Sequence, residues 1–317
     1  MYREKSIAIV VPAYNEEKMI IPTVTTMPDY VDHIIVVDDL SKDNTCTVVS
    51  KLAESDPRVL LIRHEKNLGV GGAISTGYVW CRENDIDIAV VMAGDNQMDP
   101  DDLPALLDPV VEGRTDYSKG NRLITGEAWK KIPHTRYLGN SALSFMTKIA
   151  SGYWHVTDSQ TGYTALNKKA LKLLPLEDIY PRYGMPNDFL VTLNIYNMRV
   201  MDVPINPVYH VGGKSGIRIR RVVFTLSYLM WRLFIRRMVQ KYIIRDFHPL
   251  IFFYIFGFGL TLLDIPLVVR FFYLWSVQGS APEITALAII FCTFMGVLSL
   301  MFAMLFDMEA NRELKGR

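Results

Sequence analysis

The chain has 317 residues, half of them hydrophobic, and a formal net charge of +1 at pH 7. This length allows one large domain or two ordinary ones, and the near-neutral charge argues against a nucleic-acid partner. The three cysteines are far apart and have no metal-ligand spacing, so they indicate neither a disulfide framework nor a zinc site and fit a reducing compartment.

The first two-thirds of the chain alternates apolar, strand-like segments with segments of helical length. This alternation predicts an α/β fold with a mainly parallel sheet that is covered by helices on both faces. The first apolar segment is too short for a signal peptide, so we expect the N-terminal domain to stay in the cytoplasm. The predicted strands are 6–13, 34–37, 59–62 and 88–92, and the predicted helices are 17–27, 44–54 and 71–83.

Polar residues follow the first, second and fourth predicted strands, at the sheet edge where such folds bind nucleotides. Asp38 and Asp39 follow the second strand, where a carboxylate can accept hydrogen bonds from a ribose or a base. Helix capping is the alternative role for this pair, although Ser41 or Asp43 suits capping better.

A glycine-rich turn, 67–72, precedes the third predicted helix. Glycines at such a place can let backbone N–H groups approach a phosphate at a helix N-terminus. Ile74, however, stands where the third glycine of a dinucleotide-binding motif belongs, which argues against a nicotinamide cofactor.

After the fourth strand the chain turns from apolar residues to Gly94, Asp95, Gln97 and the pair Asp99–Pro100. Asp95 and Gln97 are two residues apart, so both side-chain oxygens can face one hard cation. Asp99–Pro100 equally suits the start of a helix, with the acid as its cap. The segment alone leaves a metal site and a helix cap both open.

The middle of the chain adds further polar positions. Arg122 ends another short strand with a cation, and 157–163 is dense in hydrogen-bonding groups. Asp188 lies in the first turn of a predicted helix, where an acid also favours the helix dipole. Two prolines in 200–211 mark the last predicted strand as an edge strand.

The last third of the chain indicates a membrane. Nine basic residues between 214 and 245 are interleaved with aromatic and aliphatic ones, which suggests helices that lie on an anionic membrane face. A solvated helix or an RNA-binding surface is the alternative, but two long apolar segments follow. Each is long enough to cross a hydrocarbon core about 30 Å thick, and the basic flanks place both chain ends in the cytoplasm.

These features predict four parts. They are a cytoplasmic catalytic domain at 1–213, basic juxtamembrane helices at 214–248, two transmembrane helices within 249–307 (about 249–271 and 284–306), and a cytoplasmic tail at 308–317. Asp264 is costly in lipid and should either have a partner or lie near the outer interface, a region that Arg270 could share. Two spans bury little by themselves, so we expect a homo-oligomer that forms through the hairpin.

Four ordered motifs resemble family 2 glycosyltransferases with the GT-A fold. With its two C-terminal spans, the chain is similar to polyprenyl-phosphate glycosyltransferases, the group of dolichol-phosphate mannose synthase and undecaprenyl-phosphate glucosyltransferase. The Gln-x-x-Arg-Trp motif of processive polysaccharide synthases is absent from the sequence. The four motifs are Val11–Glu17, Val37–Thr45, Asn67–Gly69 and Gly94–Pro100.

The resemblance implies an enzyme that moves a hexose or N-acetylhexosamine, with inversion, from a nucleotide sugar to a polyprenyl (dolichyl or undecaprenyl) phosphate at a membrane. Mg²⁺ or Mn²⁺ would bridge the donor diphosphate, held by Asp95 and Gln97. Ala93 stands where the family usually has an Asp, and Leu40 where it usually has a Gly. The motif forms look more like those of UDP-sugar users, with glucose or N-acetylglucosamine as the sugar. GDP-mannose is the alternative donor.

The same resemblance assigns the site residues. A non-catalytic membrane scaffold that keeps the fold is the competing class of function, and Ala93 is its support. The residues implied as catalytic are Asp95, Arg122, Gln160 and Asp188. Those implied to contact the nucleotide or its phosphates are Pro12, Ala13, Tyr14, Glu16, Asp38, Asp39, Gly69, Asp95, Lys214, Arg218 and Arg220.

Overall fold

The computed structural model describes residues 1–123, 134–206 and 219–316, and the side chains of these ranges outside 134–140 and 219–224. The chain divides into two compact units. Unit one is Met1–Arg237 together with Glu313–Arg317, and unit two is Met238–Arg312. The chain therefore leaves unit one once and returns to it at the C-terminus.

A seven-stranded sheet in the order β3-β2-β1-β4-β6-β5-β7 forms the centre of unit one. Neighbouring strands are parallel except at β6, which is antiparallel to both β4 and β5. The predicted α/β class and mainly parallel sheet are confirmed. The strands are β1 (Ile7–Ala13), β2 (His33–Asp38), β3 (Val59–Arg63), β4 (Ile88–Val91), β5 (Tyr117–Asn121), β6 (Thr164–Asn167) and β7 (Val200–Pro204).

Strand β1 is buried along its whole length because an apolar core lies on each face of the sheet. Ala8 and Val10 pack into one core, whereas Ile7, Ile9 and Val11 pack into the other. Side chains of a strand alternate between its two faces, so a strand with a core on both sides must be apolar at every position. This requirement explains the continuous apolar pattern of the predicted strand.

Helices cover both faces of the sheet, and α1 is shorter than the predicted helix 17–27. The hydroxyl groups of Thr23, Thr25 and Thr26 donate to the carbonyls of Met19, Ile21 and Pro22, four residues earlier in each case. Such bonds and β-branched residues disfavour a longer helix. The helices are α1 (Ile20–Thr25), α2 (Thr45–Ser55), α3 (Val70–Glu83), α4 (Leu103–Val111), α5 (His134–Ser151), α6 (Lys168–Leu173), α7 (Met185–Ile195) and α8 (Ile219–Val239).

Strand β7 lies at an edge of the sheet, as its prolines predicted. The C-terminal residues return to this edge. Lys315 forms a parallel bridge with Val200, and the N–H of Gly316 donates to the Val200 carbonyl at 2.9 Å. This pairing protects part of an edge that would otherwise expose unpaired backbone groups. The predicted strand 200–211 runs past the observed end of β7, and its residues 207–211 lie outside the described residues.

Unit two is a helical hairpin of α9 (Leu250–Gln278) and α10 (Glu283–Ala310), preceded by a π-helical turn at Gln240–Arg245. The two helices have 29 and 28 residues, and both are long and apolar enough to cross a membrane. Within the hairpin, the hydroxyl of Thr293 donates to the carboxylate of Asp264 at 2.8 Å. The expected partner of this acid therefore comes from the opposite helix.

Candidate active site

The chain turns sharply after each of the three strands that are followed by polar residues. Asn15 follows β1, Leu40 follows β2 and Asn96 follows β4, and all three have a left-handed backbone with φ near 60° (58°, 62° and 56°). Non-glycine residues rarely adopt this conformation. Because β2, β1 and β4 are neighbours in the sheet, these turns lie at one edge. Polar side chains that follow them are thereby brought to the same side of unit one.

The two acids after β2 are both buried and have different partners. Asp38 accepts a hydrogen bond from the N–H of Ser41 at 3.2 Å, within the turn itself. Asp39 accepts from the N–H groups of Leu68 and Gly69, each at 2.7 Å, and lies 2.8 Å from the Nδ1 of His64. Asp38 therefore shapes its own turn, whereas Asp39 ties the end of β2 to the turn that precedes α3.

The glycine-rich turn is closed by backbone contacts. The carbonyl of Pro181 accepts from the N–H groups of Gly71 and Gly72 at 2.9 and 3.2 Å. A Cβ atom at Gly69 would lie 2.5 Å from the same carbonyl oxygen. These N–H groups therefore have protein partners, and Gly69 and Gly71 are explained by the close approach of another segment rather than by a phosphate. Contact of Gly69 with a nucleotide stays a prediction.

The segment after β4 contains a helix cap and, in other residues, two side chains that line a cavity. Asp99 caps the short 3-10 helix Pro100–Asp102, accepting from the N–H of Asp101 at 3.0 Å. Asp95 and Gln97 instead line a cavity, and the Asp95 carboxylate accepts from the Gln97 N–H at 3.2 Å. The cap role belongs to Asp99, so capping does not explain Asp95.

The cavity has a volume of about 180 Å³ and carries opposite charges on its wall. Arg122 lines it together with Asp95, and its guanidinium pairs with the carboxylate of Asp158 through Nε at 2.8 Å and Nη2 at 3.1 Å. Burial alone would raise the pKa of Asp158, but its pairing with Arg122 and the charge of Lys119 leave that pKa below its ordinary value. Asp158 therefore stays ionised and fixes the orientation of Arg122.

Negative charge accumulates between the ends of β1 and β4. Burial raises the pKa of Glu16, and the carboxylates of Asp95 and Asp43 raise it further. A divalent cation would relieve this repulsion, and the Asp95 carboxylate and Gln97 amide oxygen are hard ligands of the kind that Mg²⁺ takes alongside substrate phosphates. Among the described residues, no cluster of three or more His, Cys, Asp or Glu side chains forms a metal site. The residues present fit a cation that is held partly by its substrate.

Gln160 and Asp188 are tied to neighbouring protein groups. The Gln160 amide donates to Ser159 Oγ at 2.7 Å and to Asn187 Oδ1 at 3.0 Å, while the next two residues, Thr161 and Gly162, line the cavity. Asp188 is in the first turn of α7, as predicted, and is buried with hydrogen-bond or ion-pair partners at both carboxylate oxygens. The catalytic roles of Gln160 and Asp188 stay predictions.

The remaining predicted residues divide by position. Pro12 and Ala13 are buried at the end of β1, and Tyr14 is exposed beside them. Lys214 and Arg218 lie outside the described residues, and Arg220 belongs to α8 with its side chain outside them.

Sequence reasoning did not identify the buried residues whose hydrogen bonds hold the site residues in place. Lys119 of β5 is fully buried and its Nζ donates to the Thr161 carbonyl in the cavity wall. Burial lowers the pKa of Lys119 to about 8, against the opposing effect of Asp158 and Asp202. His64 and Asp158 were likewise not assigned. Their signal was weak because each acts through a partner at least 25 residues away in sequence.

Comparisons with known proteins agree with this geometry. Residues 8–174 match the family described as Glycosyl transferase family 2. A UDP-N-acetylglucosamine–dolichyl-phosphate N-acetylglucosaminyltransferase of Methanococcus voltae is 37% identical over 219 residues, which cover 65% of this chain and 87% of that protein. An undecaprenyl-phosphate mannosyltransferase of Micrococcus luteus is 31% identical over 210 residues, covering 65% and 85%.

Solved structures share the fold at low sequence identity. Glucosyl-3-phosphoglycerate synthase of Mycobacterium tuberculosis, in complex with Mn²⁺, UDP and glucosyl-3-phosphoglycerate, superposes with a TM-score of 0.53 and 18% identity. The match covers 74% of this chain and 80% of that one. At this identity the likeness establishes the GT-A fold and nothing about the substrate.

Proposed function

The chain belongs to glycosyl transferase family 2, and from this membership we propose that it transfers a sugar from a nucleotide sugar to a polyprenyl phosphate. The relatives of Methanococcus voltae and Micrococcus luteus are both named for a lipid phosphate of this class. The observation that carries the proposal is the cavity that Asp95 and Arg122 both line, in a chain that also has two helices of membrane length.

The proposed reaction does not require a strong general base. A phosphate monoester is already anionic near neutral pH, so its oxygen can attack the anomeric carbon directly. A bond forms between that oxygen and the anomeric carbon, and the bond from the anomeric carbon to the nucleoside diphosphate breaks. Catalysis then consists of positioning and of charge stabilisation. A single displacement inverts the anomeric centre, so an α-linked donor gives a β-linked lipid phosphate.

Each group of site residues has a role in this scheme. Arg122, oriented by Asp158, stabilises charge on the phosphate groups that gather at the cavity. Asp95 and Gln97 would hold Mg²⁺ or Mn²⁺, which supplies charge neutralisation for the departing diphosphate. Gln160 and Asp188 serve the acceptor and sugar side. The nucleotide contacts are Pro12, Ala13, Tyr14, Glu16, Asp38, Asp39 and Gly69, and the basic residues Lys214, Arg218 and Arg220 hold phosphates near the membrane.

The donor is proposed to be UDP-N-acetylglucosamine, with UDP-glucose second. The relative that is 37% identical carries UDP-N-acetylglucosamine in its name, and this agrees with the UDP-type form of the motifs 94–100 and 158–162. A GDP-mannose donor is the alternative, since the Micrococcus luteus relative is named as a mannosyltransferase.

We further propose that the catalytic domain and both chain termini lie on the cytoplasmic side of the membrane. Unit two is inserted between residues 237 and 313 of unit one, so the chain that leaves unit one also returns to it. Two crossings bring a chain back to its starting side, and the basic residues on both flanks favour the cytoplasm.

A donor panel tests the proposal. The purified full-length chain is incubated with polyprenyl phosphate, Mg²⁺ and, in separate reactions, labelled UDP-N-acetylglucosamine, UDP-glucose and GDP-mannose. We expect label in the lipid fraction from UDP-N-acetylglucosamine. Label in the lipid fraction from GDP-mannose alone would mean that GDP-mannose is the donor in place of UDP-N-acetylglucosamine. Absence of a labelled lipid from every donor, with retained nucleotide binding, would favour the scaffold.

A further inference from the structure

An ion pair between a half-buried arginine and a buried carboxylate joins helix α8 to the start of α7. Asp188 is 2% exposed, and its Oδ1 accepts from Nη1 of Arg236 at 2.8 Å. Arg236 also donates to the Thr192 hydroxyl at 2.8 Å, one turn along α7. The next residue, Arg237, is fully buried and donates to the Ile149 and Ala150 carbonyls at the end of α5. Two adjacent arginines therefore join α8 to α7 and to the end of α5.

The other oxygen of the same carboxylate holds the segment that closes the glycine-rich turn. Asp188 Oδ2 accepts from the N–H of Tyr180 at 2.8 Å. The following residue, Pro181, accepts from the N–H groups of Gly71 and Gly72. A Cβ atom at Gly71 would lie 2.2 Å from the Tyr180 carbonyl oxygen, so the two segments are in direct backbone contact.

The glycine-rich turn also holds Asp39, the acid that follows β2. The N–H groups of Leu68 and Gly69 donate to the Asp39 carboxylate, and the Asn67 side chain donates to the Asp39 carbonyl at 3.0 Å. Hydrogen bonds and backbone contacts therefore run without a break from Arg236 through Asp188 and the turn to Asp39.

We propose that Arg236 is a positioning residue for nucleotide binding, acting through Asp188 and the glycine-rich turn. The inference rests on the proposed function, in which Asp39 and Gly69 contact the nucleotide. Removing the guanidinium would leave the buried Asp188 carboxylate without the partner of its Oδ1 atom, and a buried charge that loses its ion-pair partner is destabilising. The 180–182 segment would shift, and the turn would lose its anchor.

This arrangement gives Asp188 a structural role in addition to the one proposed for it on the acceptor and sugar side. An anionic phosphate acceptor carries no proton that must be removed before attack, so no general base is required of Asp188. Arg236 therefore affects how tightly the donor binds, through the position of the turn, and it takes no part in the chemical step. Helix α8 runs directly into the π-helical turn that precedes the membrane helices, so the helix that controls donor affinity is also the one that leads to the membrane.

The first test measures the turn without any nucleotide. Hydrogen–deuterium exchange of the full-length chain in detergent reports on the amides of Gly71 and Gly72. Arg236→Gln should speed their exchange by about tenfold, because the buried Asp188 carboxylate has lost its ion-pair partner. Lys51→Gln is the control, since it removes a positive charge from an exposed position on α2. Unchanged exchange in Arg236→Gln overturns the proposal, whatever the donor proves to be.

The second test measures UDP binding and turnover. Arg236→Gln should weaken UDP binding and raise the donor KM by about tenfold, with kcat at saturating donor within about threefold of wild type. Arg236→Lys should recover part of the affinity, and Lys51→Gln should leave it unchanged. The double variant Arg236→Gln with Asp188→Asn, which leaves no unpaired charge, should bind UDP at least as well as Arg236→Gln alone.

Two outcomes contradict the positioning role. A loss of kcat with an unchanged donor KM would mean that Arg236 or Asp188 acts in the chemical step. Additive losses in the double variant would mean that the two residues act separately. If the wild-type chain binds another nucleotide in place of UDP, the donor assignment fails and the same ratios are measured with that nucleotide.

Discussion

At the scale of single residues, Leu40 shows how a departure from the family pattern can be read in structural terms. The family usually has glycine at this position, and Leu40 adopts a left-handed backbone with φ of 62°. A Cβ atom is crowded in that conformation, at a cost of roughly 1–2 kcal/mol. The turn after β2 therefore carries strain at the edge where the nucleotide is proposed to bind.

Two substitutions at this position separate the strain from the side chain. Leu40→Gly and Leu40→Ala both remove the leucine side chain, but only alanine keeps a Cβ atom. We expect Leu40→Gly to be the more stable of the two by about 1 kcal/mol. Thermal unfolding of both variants in the same detergent measures the difference. Equal stability, or a more stable alanine variant, would show that the turn is not strained by Cβ.

Buried acids at this scale were only partly predictable. The position of Asp39 after a strand pointed to a nucleotide, but its hydrogen bonds to Leu68 and Gly69 depend on a loop about 30 residues later. Likewise, Arg122 was assigned from its place at a strand end, whereas its partner Asp158 was not. A local pattern identifies the residue that reaches the site, and it does not identify the distant residue that orients it.

At the scale of elements, the sheet was predictable and the loops between its strands were not. Strands such as β1 are recognised from an unbroken apolar run, which arises because both of their faces are buried. The glycine-rich turn was predicted to approach a phosphate, yet its Gly69 and Gly71 accommodate the carbonyls of Pro181 and Tyr180. Those carbonyls lie more than 100 residues away in the sequence, so no local pattern could have identified them.

Alanine in place of Gly71 tests this reading of the turn. The new Cβ atom would lie 2.2 Å from the Tyr180 carbonyl oxygen and 2.9 Å from Cβ of Met185. We expect a loss of about 1–3 kcal/mol of stability, the usual cost of overpacking, together with weaker nucleotide binding. Gly259→Ala is the matched control, because nothing lies within 4 Å of its new Cβ atom. If Gly71→Ala matched this control in stability and in nucleotide affinity, the backbone contact would not matter.

At the scale of the whole molecule, the chain combines a glycosyltransferase unit with an inserted helical hairpin. Both were predicted from the sequence, because buried parallel strands appear as short apolar runs and membrane-length helices appear as long ones. The return of Lys315 and Gly316 to β7 was not predictable, since a short polar tail carries no pattern that specifies its partner. This return makes unit two an insertion in unit one.

The predicted catalytic domain and unit one end at different residues. The catalytic domain was predicted to end at residue 213, whereas unit one continues through most of α8 to Arg237. The basic residues of 214–248 stay predicted to lie at a membrane surface, and two of them, Arg236 and Arg237, make hydrogen bonds within unit one. A charge pattern cannot distinguish an arginine that faces lipid headgroups from one that fastens a helix.

The central claim is that Asp95, in the cavity it shares with Arg122, serves the transfer of a sugar to a polyprenyl phosphate. The most direct measurement is the rate of labelled lipid formation by the purified chain in liposomes that contain polyprenyl phosphate, UDP-N-acetylglucosamine and Mg²⁺. The wild-type chain should form product, and Asp95→Asn should be slower by about 10²–10³, the usual cost of losing one strong electrostatic contact in an active site. The exposed neighbour Asp101, changed to Asn, should leave the rate near that of wild type. Product formation by Asp95→Asn at the wild-type rate, or none by the wild-type chain, would contradict the account.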